Sequence, residues 1–225
     1  MPISRCIDPH FPTCHFQNTE LPLDSEMKLL GTSFSGKLSL DKHVHNKLHT
    51  ASRMIGVLYR LRRLLPLHSM LQLYKSLIRP HLEYCSHLLD SASKGSLALI
   101  EKLQNRAMRI LGCTEPLKEN ILPMSHHHNV GSLSLLYRYF HGHCSRELLG
   151  LVPTLQHIGP GTRYAGASHP YCFAVPRSRT EHHRKSFFPR TVRLWNSLPS
   201  SVFPGDYNLA QLKRNVNSVL KSQLC

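Results

Sequence analysis

Five aspartates stand at positions 8, 24, 41, 90 and 206, and no two are adjacent. Two-metal phosphoryl transfer holds its cations about 4 Å apart in a cluster of carboxylates, and the sequence writes no such cluster. Glu115 and Glu119 have i, i+4 spacing but fall in a proline-broken connector. There is no P-loop and no G-x-G-x-x-G. The expectation is a chain with no catalytic residue and no metal of its own.

Seventeen His and seven Cys invite a zinc reading. The tightest groups are His141, His143 and Cys144; His126 to His128; and Cys14–His15 with Cys6. Structural zinc takes two ligand pairs at short, regular spacing, and none of these groups supplies them. Histidines and cysteines on helix faces usually pack or face water, and no local cysteine signature supports a Cys–His nucleophile.

The basic side chains carry a clearer pattern. Arg53 precedes Arg60 by seven residues, close to one helix face, and Arg62 and Arg63 follow. Lys102, Arg106 and Arg109, spaced by four and three, lie opposite an apolar stripe. Such rows suit the regular phosphate spacing of a duplex, although a solvated helix face with Arg stems over apolar surface would look the same. A second basic region holds Arg177, Arg179, Arg184, Lys185, Arg190 and Arg193, interleaved with Phe173, Phe187, Phe188 and Trp195. Bases of single-stranded nucleic acid stack on rings set among arginines. Equally, these rings could anchor an irregular segment to the body. For Trp195, the single tryptophan, packing is the better reading, because Val192, Trp195 and Leu198 recur every three residues.

The elements that must position these rows are mainly helical. Asp41 precedes an apolar stripe at Val44, Leu48, Ala51, Ile55, Leu58 and Leu61, closed by Pro66. A second helix starts near His68, with Leu71, Tyr74, Leu77 and Ile78 inward and Pro80 bending or breaking it. A third runs from about Ser96 to Leu111, with Leu97, Ile100, Leu103, Ala107 and Ile110 inward and Gly112 as its C-cap. Short turns between them imply a small bundle. Before it, residues 1–15 read as an unstructured lead-in and 16–40 as two short strands. After it come a Pro- and His-bearing connector, a helix within 130–144 and an irregular stretch over 152–184. An amphipathic helix at 207–221 ends the chain.

Composition sets the class. The 225 residues carry 28 Lys and Arg against 13 Asp and Glu, a net +15 with His neutral. The excess divides evenly, +7 up to Gly112 and +8 after it, so the folded body itself is positive. That balance points to a polyanionic partner, most often nucleic acid. The start lacks a signal-peptide apolar run, and no segment approaches membrane-spanning length. An intracellular, reduced chain with mostly free thiols follows, nuclear or cytoplasmic.

Five blocks occur in order: LYKSLIRPHLEYCSHLL, SLALIEKLQNRAMRILG, SLSLLYRYFHGHCSRELLGLVP, RTVRLWNSLPSSVF and YNLAQLKRNVNSVL. The set resembles the C-terminal part of jockey-type non-LTR retrotransposon reverse transcriptases, and MKLLGTSFSGKLSLDKHV resembles the end of that family's palm. The likeness spans about residues 16 to 220. Leu40 and Leu89 stand where such sequences often carry Trp, and His127 and His128 where basic residues are usual.

The resemblance implies a palm-end β-hairpin over 16–40, a three-helix, thumb-like bundle over 41–112 and a mixed helical and irregular extension over 113–225. It implies a partner of RNA or an RNA–DNA duplex and an upstream polymerase segment. Catalytic carboxylates and Mg2+ would belong to that upstream palm, so no catalytic residue carries over and this chain alone would not be an enzyme. An inert translated remnant and a zinc-stabilised binding protein stand as competing readings.

Overall fold

The computed structural model describes residues 13–21, 24–89, 91–112, 121–155 and 171–223. Most of the expected lead-in (through residue 12), residues 113–120 of the connector and residues 156–170 of the irregular stretch lie outside them. The described chain is mainly α-helical. None of its helices is long and apolar enough to cross a membrane.

Where two strands were expected, four form two antiparallel hairpins. Strands β1 (His15–Phe16) and β2 (Thr19–Glu20) pair around Gln17–Asn18; β3 (Glu26–Leu29) and β4 (Thr32–Ser35) pair around Leu30–Gly31. Both central residues of each turn have positive φ, at 47° and 60° in the first and 47° and 78° in the second. That geometry matches the right-handed twist of the strands it joins, and Asn and Gly adopt it most cheaply. The second hairpin is tied down by the buried Thr32 and by Ser33, whose N–H donates to His43 Nδ1 at 3.2 Å. Tyr84 adds a hydrogen bond from its hydroxyl to the Leu30 carbonyl.

Helix α1 (Asp41–Leu61) buries Val44, Ala51, Ile55 and Leu58, with Leu48 and Leu61 half-buried, as its stripe implies. Next come α2 (Leu67–Leu73), a π-helical turn (Tyr74–Ile78) and α3 (Arg79–Glu83). Pro80 does not end this run. In the wider turn, Arg79 N–H reaches Tyr74 O, five residues back, just where the proline ring would crowd an α-helical carbonyl. The buried line becomes Met70, Tyr74, Ile78 and Leu82, every four residues, and Leu77 turns out to solvent. A short α4 (Ser86–Leu89) leads to α5 (Lys94–Leu111), which ends at Gly112 in the left-handed conformation, φ 62°. Leu40 and Leu89 lie in the core.

Helix α6 (Met124–Phe140) starts earlier than expected: the three histidines lie in its first turns, not in a connector. Pro123 is its N-cap, and nothing from Met124 to Asn129 breaks a helix. Glu101 of α5 holds this end, accepting from Met124 N–H at 3.2 Å and Ser125 N–H at 2.8 Å. A carboxylate at a helix N-terminus meets unpaired N–H groups and the positive end of the dipole. The remaining elements are α7 (Arg146–Leu149), α8 (Glu181–Lys185), α9 (Phe187–Asn196), a 3-10 turn (Ser200–Val202) and α10 (Leu209–Ser222).

Two cores result. One is built by α1 to α5 and closed by Met124; the other joins Leu133, Leu136 and Tyr137 of α6 to Phe173, α9 and α10. Helix α6 feeds both. Trp195 lies in the second core with 1 % of its surface exposed, and its indole N–H donates to Tyr171 O at 2.8 Å. Val192 and Leu198 are buried beside it, so this turn packs as its spacing implies.

Candidate nucleic-acid interface

The first basic region is held in place by a carboxylate. Asp41, in the first turn of α1, accepts from Ser96 Oγ at 2.6 Å and from Ser93 N–H at 3.1 Å. Ser93 is the N-cap of α5. Ser39 donates to the second Asp41 oxygen at 2.8 Å. The Ser96 bond leads these donors in drawing the Asp41 carboxyl down from 3.8 to about 2, against the opposing effect of burial. Helices α1 and α5 therefore start side by side.

A groove of about 1040 Å³ opens between them, lined by His45, Asn46, Leu48, His49 and Ser52 of α1 and by Leu99, Lys102, Leu103, Asn105, Arg106 and Arg109 of α5. All three cationic residues on its α5 side are exposed. They stand opposite the buried Ile100, Gln104, Ala107 and Leu111; of the expected stripe, Ile100 and Ala107 are buried and Leu97, Leu103 and Ile110 half-buried. On α1, Arg53 and Arg60 continue the face of Asn46 at seven-residue intervals and are also exposed. Arg62 and Arg63 follow in the turn, with the Arg62 guanidinium 3.9 Å from the Tyr59 ring centre.

No acidic residue occurs between Asp41 and Glu83. Glu101, the one carboxylate on α5, is spent on the α6 N-terminus. Among the described residues, none of Arg53, Arg60, Lys102, Arg106 and Arg109 pairs with a carboxylate. Five side chains thus present uncompensated positive charge along two helices flanking an apolar-floored groove.

The second basic region differs. Arg190 is half-buried and donates through Nη2 to Ser132 Oγ at 3.1 Å, joining α9 to α6. Arg184 donates to both oxygens of Glu181 at 2.6 and 2.9 Å, and Lys185 Nζ lies 3.7 Å from the same carboxylate. Arg193 donates to the Arg184 carbonyl at 3.1 Å. The aromatic partners are in use as well. Phe173 and Trp195 are buried, while Phe187 and Phe188 pack on Tyr139. These four rings are taken up in packing and anchor the described part of the irregular segment to the body.

The histidine run diverges. His126 pairs with Asn217 Oδ1 at 2.8 Å, and buried His128 reaches the Leu82 carbonyl at 3.1 Å. His127 Nδ1 accepts from Arg79, whose Nε donates to Glu83 at 2.6 Å. Glu83 is 3.8 Å from His127, yet Arg79 takes up its charge. Burial, then the Arg79 charge, draws the His127 imidazole down from 6.5 to about 4, so it is neutral and works as an acceptor. His141 and His143 lie against the Tyr207 ring. Cys85, Cys144 and Cys172 are free thiols; Cys6 lies outside the described residues. Among the described residues, no group of three or more His, Cys, Asp or Glu could hold a metal ion.

Sequence reasoning found the charged rows but not His45, His49 and Ser52 on the groove wall. Their four- and three-residue spacing on the polar side of α1 was the available signal. Comparison with protein-family models, with curated proteins and with solved structures finds no match.

Proposed function

We propose that this chain binds nucleic acid through the α1–α5 face, as the thumb-like and C-terminal part of a retroelement RNA-directed DNA polymerase, with an RNA or RNA–DNA duplex as its ligand. The observation that carries the binding is the set Arg53, Arg60, Lys102, Arg106 and Arg109: exposed, paired with no described carboxylate and ranged on two adjoining helices. Seven residues of helix advance about 10 Å, so each row reaches more than one phosphate of a strand laid along it. The family assignment rests on the ordered sequence blocks. On this reading the chain positions the duplex, and bond formation belongs to an upstream palm and its Mg2+.

The test is an affinity titration of a labelled RNA–DNA hairpin at several salt concentrations. Five phosphate contacts give a log–log slope of roughly −4 to −5. Absent binding at low salt, or binding insensitive to salt, overturns the proposal and leaves the inert-remnant reading.

A further inference from the structure

Tyr59 belongs to neither hydrophobic core among the described residues. Almost half of its surface, 48 %, is exposed, and among the described residues it makes no ring-to-ring contact. Tyr137, Tyr139, Tyr171 and Tyr207 all sit in aromatic clusters. One neighbour is fixed: the Arg62 guanidinium lies 3.9 Å from the ring centre. Arg60 lies between the two in sequence and Arg63 follows them.

The position of Tyr59 relative to the groove is set by helix periodicity. His45, His49, Ser52, Gly56 and Tyr59 follow one another by four, three, four and three residues on a single face of α1. The first three line the groove. At Gly56 an added Cβ would meet nothing within 4 Å, so this face of α1 is open there. Because α1 and α5 start together at Asp41 and Ser93, a rise of about 1.5 Å per residue carries Tyr59 and Arg109 to similar distances from that shared end, roughly 27 and 24 Å.

We infer that Tyr59, steadied by Arg62, is a stacking platform for an unpaired base where a strand leaves the duplex on the α1–α5 face. An exposed ring held by a guanidinium amid uncompensated positive charge fits a base whose own phosphates are negative. An acidic peptide would match the charge but has no planar group that needs the ring. The inference rests on the binding proposed above, and its test separates the two.

Two RNA–DNA hairpins are compared at one salt concentration, one blunt and one with a two-nucleotide overhang carrying 2-aminopurine at its first unpaired position. The wild type and Tyr59→Phe prefer the overhang by about tenfold and quench the probe; single stacked bases are worth roughly 5- to 150-fold. Tyr59→Ala binds the blunt hairpin with wild-type affinity and salt slope, loses the preference and leaves the probe unquenched. An intact preference in Tyr59→Ala, or none in a wild type that binds the blunt hairpin, overturns the inference alone. A wild type that binds neither hairpin removes both readings.

Discussion

Asn196 grips Phe173 by both of its backbone polar groups. The Asn196 Nδ2 donates to Phe173 O at 2.8 Å, and its Oδ1 accepts from Phe173 N–H at 3.0 Å. The adjacent Trp195 indole holds Tyr171 O, so two consecutive residues of α9 dock the segment arriving at 171–173. Phe173 is buried and its ring packs against Trp195 and Phe140.

Replacing Asn196 by Ala strands a donor and an acceptor beside the second core. Leaving buried polar groups unpaired costs about 1–3 kcal/mol each, so a loss of about 2–6 kcal/mol is expected. Asn196→Asp keeps the acceptor and loses the donor, and should fall between. Urea unfolding followed by Trp195 fluorescence, red-shifting as the indole meets water, measures both. A loss under 0.5 kcal/mol in Asn196→Ala would show that the clamp is incidental.

The clamp also shows what the sequence could and could not carry. Val192, Trp195 and Leu198 were legible because a three-residue rhythm along α9 and just past its end needs no knowledge of its partner. The same holds for the exposed rows of α1 and α5. The inward turn of Arg190 depends on Ser132, 58 residues away, and nothing local distinguishes it from Arg193. The helical start at Met124 depends on Glu101 from another element. The π-turn at Tyr74–Ile78 reconciles Pro80 with a continuous run, a backbone solution that side-chain periodicity does not encode.

Asp41 should make the α1–α5 junction sensitive to acid. Its folded value of about 2 lies below its ordinary 3.8. The stability it contributes is therefore complete above about pH 4 and lost as pH falls through 2. The carboxyl is partly solvated, so screening reduces the contribution to about 1 kcal/mol. Asp41→Asn should cost that much at pH 7, and its deficit against wild type should vanish near pH 2. A deficit unchanged across this range would mean that shape, not charge, does the holding.

His127 works in a different window. Its folded value of about 4 lies below its ordinary 6.5, since burial and Arg79 oppose the charged form. The unfolded chain takes the proton first, so this contribution is complete above about pH 6.5 and is lost as pH falls toward 4. After discounting for partial exposure, about 1–2 kcal/mol is at stake. His127→Gln keeps an acceptor for Arg79 and cannot titrate. Wild type should therefore lose stability relative to His127→Gln between pH 6.5 and 4, as read from melting temperatures at half-unit steps. Parallel curves would contradict a neutral His127.

The two basic regions should separate cleanly in salt dependence. Lys102, Arg106 and Arg109 are exposed beside the groove and pair with no described carboxylate. Each neutralisation removes close to one released counterion, so Lys102→Gln/Arg106→Gln/Arg109→Gln should flatten the salt slope for an RNA–DNA hairpin by roughly 2 to 3. Arg184 and Lys185 already share Glu181, and that pairing holds the Glu181 carboxyl below its usual range. Arg184→Gln/Lys185→Gln removes nearly as much formal charge and should move the slope by less than about 1. Both variants replace exposed or partly exposed side chains, so their melting points should stay near wild type. Equal flattening by the two would show that net charge alone attracts the ligand, whereas the expected difference places phosphates on α5.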